Sequence, residues 1–221
     1  MKINSFLILK LNKTSTEVKE FIHKKMVLID GIPAIQKQKI TYKNAIDFNN
    51  IQLQLKTGLF YFAYNKPRGI ESTMNKNIEN NLYEATGIKV KFFPVGRLDK
   101  DSEGLMILSN SGEFYNKIIS PIEKVEKEYL VTVNKVLTEE FILQLKSGVV
   151  IMGKKTKECA VEIIDEFTFR IVLIEGKNRQ IRRMCYKIGL DVLKLKRIRI
   201  GKLILCNLSF GELLKIEKSD I

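Results

Sequence analysis

The stretch Val95-Gly96-Arg97-Leu98-Asp99-Lys100-Asp101-Ser102-Glu103-Gly104-Leu105-Met106-Ile107-Leu108-Ser109-Asn110-Ser111-Gly112 constrains this chain more than any other. Phe92, Phe93 and Val95 lead in, a polar loop closes at Gly104, and a run with strand propensity leads out to an Asn-Ser-Gly turn. Asp99 therefore falls where a strand gives way to a loop. Packing fixes a side chain at such a place, while the loop leaves room for a substrate.

Composition limits what can work beside that aspartate. The single histidine is His23, near the N-terminus, so a Ser-His-Asp or Cys-His pair would have to use it. Cys159, Cys185 and Cys206 are odd in number and form no Cys-x-x-Cys, which predicts reduced, mostly buried thiols in a cytosolic protein and no zinc site. The reactive group of an enzyme built this way is then a carboxylate, a lysine or a tyrosine. Lys and Arg number 38 against 25 Asp and Glu, a net charge of +13, which points to a polyanionic partner such as nucleic acid. No apolar run has the roughly 18–20 residues that a membrane-spanning helix needs, and the apolar start at residues 3–11 reads as a helix of the folded protein.

A chain of 221 residues can make one large domain, or an ordinary domain with a small appendage. Residues 1–56 are expected to form the appendage: a helix over 3–11, a second helix capped at Thr14 or Ser15 with Glu17 in a capping box, and a small hairpin about Asp30-Gly31. The Asn- and Gln-rich segment 41–56 is expected to be a linker, placing the main domain at 57–221. That domain opens on the strand Leu59–Tyr64 and the turn Asn65-Lys66-Pro67-Arg68-Gly69. Strands are expected at 105–108, 128–133, 149–151, 160–164, 169–174, 192–195 and 203–205. Helices are expected at 113–119, 139–146 and 178–189. Strands outnumber helices and short turns join many of them, so the fold class is α+β with a largely antiparallel sheet.

The densest charge follows. From Lys177 to Lys202 there are ten Lys and Arg and one acid, Asp191. Within 178–189, Ile181, Met184, Cys185 and Ile188 recur at helical spacing and form a core face, while Arg179, Arg182, Arg183 and Tyr186 repeat that spacing on another. Such a helix docks on a sheet and presents guanidinium groups suited to phosphates or to a buried carboxylate. Lys194, Lys196, Arg197 and Arg199 are expected to extend the positive surface, and Tyr186 and Tyr129 are candidates for stacking on bases.

Gly96-Arg97-Leu98-Asp99, Asn65-Lys66-Pro67-Arg68-Gly69, Lys127-Glu128-Tyr129-Leu130-Val131 and Glu175-Gly176-Lys177-Asn178-Arg179-Gln180-Ile181-Arg182-Arg183-Met184 stand in the order seen in bacterial rRNA pseudouridine synthases. Over about residues 59–205 the chain resembles that family. Residues 1–56 resemble the small α+β RNA-binding domain of ribosomal protein S-four, with Thr14-Ser15-Thr16 where its arginine-rich helix start would be and Lys25 at its helix-ending glycine.

The resemblance implies the pseudouridine synthase catalytic fold and isomerisation of uridine to pseudouridine in 23S rRNA, or in tRNA, by a cytoplasmic, monomeric enzyme with no metal or organic cofactor. It makes Asp99 the catalytic aspartate, Arg182 its salt-bridge partner and Tyr129 the residue against the target base. Arg97 would fill the space left by the flipped uridine, and Lys66, Arg68, Arg179, Arg183, Lys194, Lys196 and Arg197 would contact RNA. An RNA-binding assembly factor that kept the fold without the chemistry is the alternative. Attack on the sugar, addition to the base and removal of a sugar proton are three routes open to such an aspartate, and each needs an ionised carboxylate in a dehydrated pocket.

Overall fold

The computed structural model describes every residue except Tyr42, Leu55 and Thr57, and among the described residues it holds six α-helices and fifteen strands. Two compact units divide the chain, Met1–Leu59 and Phe60–Ile221.

The first unit runs α1 (Ile3–Leu11), α2 (Ser15–His23), β1 (Val27–Ile29), β2 (Ile32–Pro33), β3 (Ile46–Phe48) and β4 (Ile51–Gln54). Thr14 caps α2: its hydroxyl accepts from the Glu17 amide, and the Glu17 carboxylate accepts from the Thr14 amide at 2.8 Å, a capping box that satisfies two orphan donors. Lys25 follows the helix at φ 54, the left-handed conformation that favours glycine, and the Met26 amide closes the turn on the Phe21 carbonyl.

The linker expected at 41–56 is corrected, apart from Tyr42 and Leu55, which lie outside the described residues, as does Thr57 at the expected boundary. β3 and β4 form there and complete an antiparallel sheet in the order β2-β1-β3-β4. Asn49 and Asn50, both at positive φ, make the two-residue turn between them. Asn tolerates that conformation better than most residues, so the Asn-rich composition marked a hairpin. Ile46 is fully buried with Ile3, Leu7, Val18 and Val27.

In the second unit the order is β5 (Tyr61–Lys66), α3 (Leu82–Thr86), β6 (Phe93–Val95), β7 (Glu103–Ser109), α4 (Gly112–Ile119), β8 (Lys127–Val133), α5 (Glu139–Lys146), β9 (Val150–Ile151), β10 (Lys154–Lys155), β11 (Ala160–Ile163), β12 (Thr168–Leu173), α6 (Gln180–Lys187), β13 (Val192–Ile200), β14 (Leu203–Ile204) and β15 (Leu213–Ile216). The main sheet runs β11-β12-β8-β13-β7-β5-β15, with β14 on β13 and β6 on β7. Only β13 and β7 pair in parallel in this sheet; the other described pairings are antiparallel, so the fold is α+β with a mixed, mostly antiparallel sheet. β15 closes one edge and has no counterpart in the sequence reading.

β7 lies inside the sheet, between β13 and β5. Leu105 and Ile107 enter the cluster of Tyr61, Val95, Phe114 and Ile200, while Met106 and Leu108 enter that of Tyr64, Leu82 and Leu98. All four are fully buried, so this strand is apolar on both faces instead of alternating. A third cluster, with Leu145, Phe169, Ile171, Ile181, Met184 and Cys185, packs α5 and α6 against the β8–β12 half. Cys185 is buried, Cys159 half-buried and Cys206 exposed; burial pushes the first two thiols up to about 12 and about 11, which makes them inert.

Candidate active site

Asp99 sits in the loop between β6 and β7, and several elements hold that loop still. Leu98 plugs into the Met106 and Leu108 face beside it. The Ser72 hydroxyl donates to the Leu98 carbonyl and accepts from the Leu98 amide. The Gly69 amide donates to the Lys100 carbonyl at 2.8 Å, and the Ser102 amide to the Asp99 carbonyl at 3.1 Å. The turn after β5 thus braces the loop that carries Asp99. Ser72 was not singled out in the sequence, where nothing marks it.

An open cleft of about 420 Å³ adjoins the carboxylate, lined by Arg68, Gly69, Glu71, Asp99, Lys100, Asp101 and Arg179. The expected pairing of Arg182 with Asp99 is corrected here. Arg179 Nη1 lies 3.5 Å from Asp99 Oδ2, and Arg179 also grips Asp101 with both Nη1 and Nη2 at 3.3 Å. Arg182 Nη2 meets Asp101 Oδ2 at 3.3 Å and the Asp101 carbonyl at 3.1 Å, while Nη1 donates to the Val192 carbonyl at 3.0 Å. Asp101 is the carboxylate that both arginines share.

The cause of the exchange is helix geometry. Arg179 is the N-cap of α6 at φ 49, ψ 36, so its side chain leaves the helix end towards the loop. Such a conformation is costly for a residue with a Cβ and persists where the surroundings enforce it. Gln180 supplies that enforcement: buried, it donates to Glu175 Oε1 at 2.7 Å and accepts from the Lys177 amide at 2.9 Å. Arg182, one turn along and only 12% exposed, ends deeper.

Electrostatics follow the same contacts. Burial pushes the Asp101 carboxyl up, but the two guanidinium groups outweigh it, and the net shift is downward. Burial lowers Arg182, with Asp101 opposing and Asp99 acting at longer range; the bond to Asp101 raises Arg179.

Two residues expected on an RNA-facing surface lie inside, and both expectations are corrected. Arg197 is 2% exposed: Leu195 and Arg197 share a face of β13 by strand alternation, and that face is core. Its guanidinium donates to the Leu105 carbonyl at 2.6 Å and the Gly96 carbonyl at 2.8 Å, tying β13 to both ends of the Asp99 loop. Gly104, at φ 101, lies opposite Arg197 in the parallel pair, where a Cβ would run into the Arg197 carbonyl and amide. Lys66 is likewise fully buried, its ammonium donating to the Pro67 and Ile70 carbonyls at 2.9 and 2.7 Å. Burial holds it down to about 8, with Glu71, Asp101 and Glu103 opposing.

The other candidates keep their exposure. Arg97, Arg68, Arg183 and Lys194 are exposed, and Lys196 is half-buried over the Phe210 ring. Tyr129 lies in β8 directly across from Arg197, half-buried against two apolar clusters; neither it nor Arg97 lines the cleft. His23 is exposed on α2, in the first unit.

A mostly antiparallel sheet thus carries an arginine-braced aspartate on the loop beside β7, and comparison with known proteins supplies the class. Residues 60–187 match the RNA pseudouridylate synthase family profile, so the chain belongs to that family, an RNA pseudouridine synthase that isomerises uridine. Over 198 residues it is 41% identical to the dual-specificity RNA pseudouridine synthase RluF of Salmonella typhi, spanning 89% of this chain and 68% of that protein. The ribosomal small subunit pseudouridine synthase A of Yersinia pestis is 31% identical, over 93% of this chain and 89% of the relative. A crystal structure of a pseudouridylate synthase superposes with a TM-score of 0.71 at 26% identity, over 100% of this chain and 97% of that one.

Proposed function

We propose that the chain acts on large-subunit (23S) rRNA and on tRNA, with Asp99 as the catalytic residue. The observation that carries the site assignment is the placement of Asp99: an aspartate on a braced loop, at an open cleft whose other charged residues are Arg68, Glu71, Lys100, Asp101 and Arg179. The higher identity to a dual-specificity enzyme than to a small-subunit enzyme supports more than one RNA substrate.

The roles follow from position. A uridine must leave its stack to reach a carboxylate in this cleft, which costs a few kcal/mol that contacts to phosphate and base must offset. Arg68 and Lys100 stand at the rim for phosphates, and exposed Arg97 is free to enter the vacated space. Tyr129 offers the wall behind the loop. Arg179 orients the Asp99 carboxylate, and Arg182 acts through Asp101 as a positioning residue. Residues 1–56 serve as an RNA-binding module like that of ribosomal protein S-four, joined to a catalytic domain over 57–221. The enzyme works in the cytoplasm as a monomer. Among the described residues no helix is long and apolar enough to cross a membrane.

Tritium release from uridine labelled at carbon 5, in 23S rRNA fragments and in tRNA, tests both substrate and residue. Asp99→Asn is expected to lose about a thousandfold or more in turnover, since it removes the reacting group and not a binding contact. Full activity in that variant sinks the assignment, and release from neither RNA sinks the choice of substrates.

A further inference from the structure

A second cleft of about 390 Å³ opens on the other side of Arg179, lined by Ile151, Met152, Arg179, Arg182, Arg183, Tyr186 and Lys187. It differs from the first in its charge: four of its seven lining residues are cations and none is an acid. Arg183 Nε and Nη2 donate to the Asn178 carbonyl and side chain, and neither Arg183 nor Lys187 forms an ion pair among the described residues. Cations without acids hold a place for an anion.

The apolar part of the lining is equally unusual. Tyr186 is 73% exposed on α6, and Met152 is 66% exposed at the tip of the β9–β10 hairpin. That tip is a two-residue turn, Met152-Gly153, with φ of 49° and 75°. Such turns ordinarily carry Asn, Asp or Gly, because a Cβ disfavours the left-handed region. A methionine held there, with its side chain in solvent, pays a conformational cost that packing within the protein does not repay, and such costs gather at ligand sites. β9 packs on α6, and buried Ile151 adds an apolar side chain to the lining that Met152 and Tyr186 share. An apolar slot beside Arg183 and Lys187, two cations with no ion pair among the described residues, has the chemistry of a nucleotide site: base on ring and thioether, phosphate on guanidinium and ammonium.

We propose that this cleft is a second nucleotide subsite, which takes an unpaired nucleotide adjacent to the target uridine in the same RNA strand. The assignment rests on the pseudouridine synthase reading. Arg179 lines both clefts, so a strand whose uridine enters the first passes its neighbour into the second. Tyr186 and Met152 hold the base, and Arg183 and Lys187 the phosphate. The subsite would select RNA whose flanking nucleotide is free to unstack, without reading its identity.

The test uses the full chain and an rRNA fragment that it converts. Tyr186→Ala is expected to raise KM about tenfold, the effect of one lost stacking contact, with the loss falling in KM and not in kcat. Tyr186→Phe, which keeps the ring, recovers most of it. Met152→Gly separates binding from folding, because glycine relieves the backbone: its thermal midpoint should rise while its KM rises about threefold. A 4-thiouridine next to the target should cross-link within residues 151–155 or 182–187. KM values of Tyr186→Ala and Met152→Gly that match wild type, or a cross-link confined to other segments, overturn the subsite while leaving the enzyme intact. If wild type converts no RNA, the enzymatic reading falls, and filter binding still decides the subsite: equal RNA affinity of wild type and Tyr186→Ala overturns it.

Discussion

The two clefts on either side of Arg179 use the same kind of residue for opposite purposes. At the boundary between them two guanidinium groups are committed to the Asp99 loop: Arg179, which lines both clefts, to Asp99 and Asp101, and Arg182, which lines the second, to Asp101 and two backbone carbonyls. In the second, Arg183 and Lys187 face a lining without acids. A paired, half-buried arginine fixes geometry, and an unpaired exposed one recruits an anion. The difference predicts which substitutions change turnover and which change binding.

After the loss of the reacting group in Asp99→Asn, the largest effect should come from Arg182→Lys. A lysine ammonium cannot span the Asp101 carboxylate, the Asp101 carbonyl and the Val192 carbonyl at once, so the loop loses its inner brace. Turnover is expected to fall about a hundredfold, the scale of a small misplacement of a reacting group, with RNA affinity nearly kept. Single-turnover rates beside filter binding would show the split, and a pure affinity loss would break the comparison.

Asp101→Asn should come next. It keeps the shape but releases the charge that holds both arginines, and turnover should drop about tenfold. Combined with Arg179→Lys, its effect should be less than additive, because both changes remove one interaction. Additive losses would place Arg179 and Asp101 in separate roles.

Arg183→Ala tests the other cleft. Affinity for RNA should weaken by a factor of about five, kcat should hold, and the slope of log affinity against log salt should fall by about 1, as for the loss of one phosphate contact. A change in kcat with no change in salt slope would mean that the second cleft also positions the chemistry.

The smallest effect concerns Lys66, buried at the end of β5. Burial depresses its folded-state pKa to about 8 from 10.5. Between those values the unfolded chain binds a proton at Lys66 that the folded chain does not, so this residue makes stability rise with pH across that window and adds no slope below it. Urea midpoints of wild type measured near pH 8 and near pH 10, compared with Lys66→Met, should show a rise that the variant lacks. Parallel curves would mean that Lys66 is hydrated in solution.

Local patterns carried much of this in the sequence. The box of Thr14 and Glu17, the apolar stripe of Ile181, Met184 and Cys185, and the loop between Val95 and Gly104 are all set by neighbours a few residues apart, and each forms as its spacing dictates. The segment 41–56 misled because Asn-Asn favours a hairpin turn as much as a linker, and only the burial of Ile46 decides between them. Sequence alone thus determined the α+β class, the strand-to-loop position of Asp99, the basic helix and the placing of the single histidine, His23, in the first unit. Tertiary structure alone decided who pairs with whom. The parallel pairing of β13 with β7 sends Arg197 inward to brace the Asp99 loop, and the left-handed start of α6 delivers Arg179 to Asp99 and leaves Arg182 to Asp101. Charge type is a property of a residue, whereas its partner depends on strand register and helix entry, which long-range packing fixes.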